Sequence, residues 1–298
     1  MRTHPTQPAG PCAVTELQAG GLVALPRDLL SKVFTALAGR NGVVLLGLAG
    51  ISQTFRDCAL EVLRCLEELD LQPASLQYWR PPKSFAYCHY FTERLPRERL
   101  AKAVLKRCQQ LRVLDLRGAH AYTSDDTLAL ICSQAQRLES LLLGGCQAVT
   151  PDGLAHLTAP SCPVLEDLAL NGCVNVGDAS SLAALPALKR LDLAWCRDVT
   201  SSSMALLLPR LEHAVFHGCE VVTDELLEHA TSVKLLDCAF TAVGDAGLHS
   251  LVQVASNLQK LILGAPTDNL WMSGNWTPLG LEAFKKQLPD VHVQLVFA

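Results

Sequence analysis

The sequence predicts an α/β fold: a horseshoe solenoid of short parallel strands and helices, preceded by a small three-helix module. Three observations carry this reading. The pattern L-x-x-L-x-L-x-x-C recurs in phase from residue 111 onward. A helix-start signal follows each of its cysteines at a fixed offset. Residues 22–65 lack the pattern and carry helical apolar spacing instead.

The repeats come first, because self-similarity constrains a fold more than composition does. Leu138, Leu141, Leu143 and Cys146 recur as Leu165, Leu168, Leu170 and Cys173, then as Leu188, Leu191, Leu193 and Cys196. Leu211, Ala214, Phe216 and Cys219 keep the pattern with substitutions. Looser copies begin at Leu66, Leu111, Val233 and Leu258, and from 111 onward successive starts lie 22–27 residues apart. In L-x-L, alternate side chains of a strand point to opposite faces, so the leucines go inward and the residues between them outward. The Cys stands where the chain leaves the sheet, a crowded turn that suits a small, weakly polar thiol.

Four residues later stand Thr150, Gly177, Thr200 and Thr223. A hydroxyl there, followed by acids such as Asp152 or Asp224, is what a helix N-terminus favours. Pro163, Pro186 and Pro209 each precede the next repeat by two residues, where a helix must stop. These positions resemble the cysteine-containing subclass of leucine-rich repeats, roughly LxxLxLxxCxxITDxGLxxLxxxCPx, over residues 66–298. The resemblance implies a binding surface, and it assigns Cys146, Cys173, Cys196, Cys219, Cys108 and Cys162 to core packing.

The N-terminal module has another rhythm. Leu25, Pro26, Leu29, Leu30, Val33, Phe34 and Leu37 form an i, i+3/i+4 apolar stripe, with Pro26 in the first turn, where its missing N–H does no harm. Asn41-Gly42 interrupts, Val43 to Leu48 form a second apolar run, and Ser52 is positioned to cap a third helix containing Phe55, Leu60 and Leu63. This order resembles the F-box, roughly LPxEllxxIfxxLxxxdllxlxxVSrxWrxla. Phe55 replaces the usual Trp, and the turn at Gly39-Arg40-Asn41-Gly42 is longer. The blander reading is a helical cap on the open end of the solenoid. The F-box resemblance implies that Leu25, Pro26, Leu29, Leu30, Val33, Phe34 and Leu37 bind a Skp1-like adaptor. Through it the chain would join a cullin-based ubiquitin ligase, with the repeats receiving a protein substrate. The alternative is an interaction scaffold unconnected with ubiquitination.

Composition excludes other classes. Of 298 residues, 49% are hydrophobic and 18% are charged. That is enough for a large core and argues against global disorder. A net charge of −4 argues against a nucleic-acid binder, which needs a basic face. The longest apolar run, Gly42 to Ile51, is too short to span a bilayer, so no membrane partner is expected. Residues 1–21 have no apolar signal core and read as a flexible tail, so the cytoplasm or nucleus is the expected compartment. No C-x-x-C, GxxxxGK[ST], GxSxG or HExxH occurs, and the expectation is no metal, no cofactor and no catalytic site.

Outward strand positions give a mixed-charge concave wall, from Asp70 to Lys260. Arg190, Trp195 and His217 are its substrate-binding candidates, since Trp and Arg are enriched where interfaces gain most of their energy. Two insertions break the repeat. Residues 72–100 hold Tyr78, Trp79, Phe85, Tyr87, Tyr90 and Phe91, as a packed bridge or an exposed binding loop. Residues 265–276 hold Trp271 and Trp276, which either join the binding face or seal the C-terminal end of the core.

Overall fold

The structure is a computed structural model, and it describes residues 26–38, 45, 49, 52–72, 102–121, 123–265 and 275–297. The N-terminal tail, Leu25, the aromatic insertion at 78–91 and Trp271 lie outside the described residues.

Helix α1 (Arg27–Ala38) packs on α2 (Gln53–Cys65). Ser52 caps α2 as its sequence implies: its Oγ accepts the Phe55 N–H at 3.2 Å. Phe34 of α1 and Phe55 of α2 meet edge to face at 5.2 Å, and both are buried with Leu30, Leu63 and Leu45 of the second apolar run.

Beyond α2 the chain lays down β1 (Glu68–Asp70), β2 (Val113–Asp115), β3 (Ser140–Leu142), β4 (Asp167–Ala169) and β5 (Arg190–Asp192). They are followed by β6 (His213–Val215), β7 (Leu235–Asp237), β8 (Lys260–Gly264) and β9 (His292–Val296). All nine pair in parallel and in chain order, one strand per repeat, so the fold is a leucine-rich-repeat solenoid. The middle leucines stack in register, Leu114 on Leu141 on Leu168 on Leu191, and each is buried. One continuous apolar core runs from Leu30 to Val291, joining the helical module to the repeats.

Behind the sheet lie α3 (Asp125–Gln134), α4 (Pro151–Leu154), α5 (Ser201–Leu207), α6 (Asp224–Leu227), α7 (Asp245–Val254) and α8 (Pro278–Gln287). The repeat with Gly177 has only a 3₁₀ turn, Ser180–Ala184. Among the described residues no helix is long and apolar enough to cross a membrane.

The capping expectation needs correction. Thr200 does cap α5, accepting the Ser203 N–H, but Thr150 and Thr223 make no side-chain cap. Their helices are single turns, and for Thr150 a neighbouring repeat offers a stronger partner. Asp125, the first residue of α3, accepts the Thr150 N–H at 3.0 Å and its hydroxyl at 2.6 Å. Asp224 likewise accepts the Gly244 N–H, and Asp245 accepts both donors of Thr277. The acid of one repeat thus closes the next repeat's helix start.

The cysteine column is buried as expected and does more than fill space. The thiols of Cys146, Cys173, Cys196 and Cys219 donate to the carbonyls of Leu116, Leu143, Leu170 and Leu193, one repeat back, at 3.0–3.3 Å. Burial pushes the Cys173 thiol up to about 12, so it stays a protonated donor. Replacing Cys173 with Ser is expected to lower stability by about 1–3 kcal/mol, by burying a more polar group, and Ala is expected to cost less. Denaturant melts of the two variants check this order.

Candidate binding surface

The register assigns the concave wall residue by residue. Around each inward leucine, one outward column contains Asp167, Arg190, His213 and Lys260, and the next contains Asp115, Asp192, Val215 and Asp237. The aspartates of the second column share a local task. Asp70, Asp115, Asp192 and Asp237 each accept the backbone N–H two residues on, at 2.9–3.0 Å, closing the turn out of the strand. What happens at the second oxygen differs between repeats. Arg117 forks onto Asp115, with Nη2 to Oδ2 at 2.7 Å and Nε at 3.1 Å from both oxygens. Such a bidentate, charge-assisted pair is among the stronger hydrogen-bonding arrangements. The residue equivalent to Arg117 is Ala194 beside Asp192 and Ala239 beside Asp237.

Asp237 faces an imidazole from the preceding repeat, with His217 Nδ1 3.6 Å from its Oδ2. Asp192 has no cationic side chain within ion-pair distance among the described residues. Burial, with the nearby carboxylates of Asp237 and Asp167, pushes its carboxyl above the ordinary range. Arg190, at the entry end of β5, faces Asp167 at 3.5 Å. The structure therefore brings Trp195 and His217 together and leaves Arg190 at the other end of the strand.

The residue just before the Cys position is the one sequence reading missed. Gly118 (φ 71°), Gly145 (φ 77°), Gly172 (φ 71°) and Gly218 (φ 69°) occupy it. This is the left-handed conformation that glycine takes freely. Trp195 (φ 60°) and Phe240 (φ 55°) take the same conformation without being glycine. A side chain there costs roughly 1–2 kcal/mol. That backbone throws each ring across the next repeat. A Cβ placed on Gly218 would lie 2.4 Å from the Trp195 ring, and one on Gly264 would lie 2.9 Å from Phe240. His217 stands between them, 5.2 Å from Trp195 and 4.9 Å from Phe240 between ring centroids. Trp195 remains 43% exposed, so the ridge presents an aromatic face to solvent. The signal was present: where neighbours read Gly-Cys, this repeat reads Trp-Cys.

Trp276 is corrected. It is buried, its Nε1 donates to the Gly264 carbonyl at 3.1 Å, and it seals the core below β8 instead of joining the concave wall.

The stripe on α1 divides. Pro26 and Leu29 are exposed, the latter by 46%, and Val33 is half-buried. Leu30 and Phe34 point into the module and are closed to any partner in this arrangement, because α2 already covers them. Leu25 and the side chain of Leu37 lie outside the described residues.

No family model matches the chain, and no curated protein matches it. Among solved structures, internalin C2 of Listeria monocytogenes aligns at 20% identity and a TM-score of 0.46, over 66% of this chain and 76% of that one. A chain of the yeast Rad7–Elc1 complex aligns at 17% identity and a TM-score of 0.46, over 90% of this chain. The alignment spans 64% of that chain's length, less than two thirds.

Proposed function

We propose that this protein is a non-catalytic substrate-recognition subunit of a Skp1–cullin–F-box ubiquitin ligase, in which the helical module binds the adaptor and the repeats bind a protein substrate. The observation that carries this is the two-sided character of α1. Its inner side, Leu30 and Phe34, is buried against α2, yet Leu29 stays 46% exposed beside Pro26 and Val33. A mere cap on the solenoid needs only the inner side. An outer apolar row on a helix that begins Leu-Pro, in a segment resembling an F-box, is what an adaptor contact requires. The concave wall then faces the substrate, which it holds for transfer chemistry carried out elsewhere in the complex.

Changing Leu25 and Pro26 together to Ala is expected to abolish capture of Skp1 from purified components. The melt of the repeats is expected to stay cooperative. Undiminished capture by the double variant removes the basis of the ligase reading and leaves a repeat scaffold unconnected with ubiquitination.

A further inference from the structure

The concave wall carries a template for its own ligand. At the second repeat, Asp115 is capped by a backbone N–H on one oxygen and forked by the Arg117 guanidinium. At the fifth, Asp192 has the same cap from Ala194, but alanine stands where the arginine would be. Trp195 stands three residues on, at the exit of the same strand, with its ring held over Gly218 by a backbone conformation its neighbours leave to glycine. An exposed indole at the exit of a strand whose carboxylate has no ion-pair partner among the described residues suits one side chain better than others. A guanidinium is planar, stacks on aromatic faces and forks onto carboxylates, whereas an ammonium is a hydrated point charge.

We propose that Asp192 and Trp195 receive an arginine side chain from a protein partner, with its guanidinium lying on the Trp195 ring and forking onto Asp192 as Arg117 does onto Asp115. His217 packs against the indole, and Phe240 packs in turn against His217. His217 also faces the neighbouring carboxylate, with its Nδ1 3.6 Å from Asp237 Oδ2. This rests on the reading of the concave wall as a receptor surface, and it does not depend on which adaptor the helical module binds.

The test uses the full chain and a displayed library of random twelve-residue peptides. Selected peptides are expected to share an arginine, and replacing it with citrulline, which keeps the shape and removes the charge, is expected to weaken binding at least tenfold. Three variants probe the protein side. Asp192→Asn keeps an oxygen for the Ala194 N–H but loses the charge. Trp195→Gly restores the residue its neighbours use, so its fold is expected to be intact. Ala194→Arg copies Arg117 and is expected to fill the site from within. Each is expected to lose at least tenfold in affinity for the selected peptide. Peptides without arginine, a lysine-only consensus, no selection at all, or binding unchanged in Asp192→Asn and Ala194→Arg would each overturn the proposal. Skp1 capture is measured on the same proteins and is expected to be unchanged. Loss of Skp1 capture by the wild type, with peptide binding intact, removes the ligase reading alone.

Discussion

Replacing Gly153 with Ala is expected to destabilise the solenoid by about 3 kcal/mol, although alanine is the better helix former. The Cβ would lie 2.0 Å from Asp125 Oδ1 and 2.7 Å from its Cγ. That carboxylate holds both donors of Thr150, so it cannot withdraw without leaving the start of α4 unbonded. The same arrangement recurs where the third helical residue is Gly247, against Asp224, and Gly280, against Asp245. In α6 that position is Leu226, and the preceding helix α5 begins with Ser201 instead of an acid. Glycine therefore stands where a carboxylate from the previous repeat must approach. The check is a four-protein cycle of denaturant melts. In an Asp125→Ala background, Gly153→Ala is expected to be neutral or to stabilise by up to about 1 kcal/mol, giving a coupling of about 3–4 kcal/mol. Additive effects of the two substitutions would contradict the steric account.

The repeats were legible because burial acts on every copy alike. Each inward leucine faces the same position in the neighbouring strand, so the pattern survives even where Ala214 or Phe216 replaces a leucine. The ninth strand was not legible. Asp290 stands where the first leucine would be, and the insertion at 265–276 carries β9 outside the period. The cap at Thr150 was misassigned because a threonine before an acid reads as a local motif, and its true partner is 25 residues away. Single-repeat chemistry cannot reveal a bond whose acceptor belongs to another repeat.

The candidate site shows the same limit in another form. Trp195 stood out by residue type, but its orientation comes from a left-handed backbone legible only by comparison with the glycines before Cys146, Cys173 and Cys219. Phe240, before Thr241 in the cysteine column, was passed over because the position ahead of that column was not compared between repeats. Arg190 was grouped with Trp195 by residue type and by its outward place on the wall, yet its position in β5 turns it toward Asp167. On α1, periodicity identifies an apolar helix, but only the position of α2 decides which apolar residues are left for a partner.

That division makes Phe34 and Leu29 separable. Phe34→Ala is expected to cost the helical module about 3–5 kcal/mol, since it empties a fully packed site and removes the edge-to-face contact with Phe55. Much of that loss is expected to be local, because α1 is a terminal element and the repeats β3 to β8 keep their own stacked core. Hydrogen exchange is the measurement. Amides of 27–38 and 53–65 are expected to lose protection while those of the central strands keep it. Adaptor capture is expected to fall with them, because Pro26, Leu29 and Val33 form a row only while α1 is held against α2. Leu29→Asp should behave differently. Its side chain is already in solvent, so exchange is expected to match the wild type while Skp1 capture is lost, a charge having been placed in the middle of an apolar contact. If Leu29→Asp captured Skp1 as well as the wild type, the outer row would not be the contact. If Phe34→Ala left the exchange of α1 unchanged, Phe34 would not be the residue that holds that row in place.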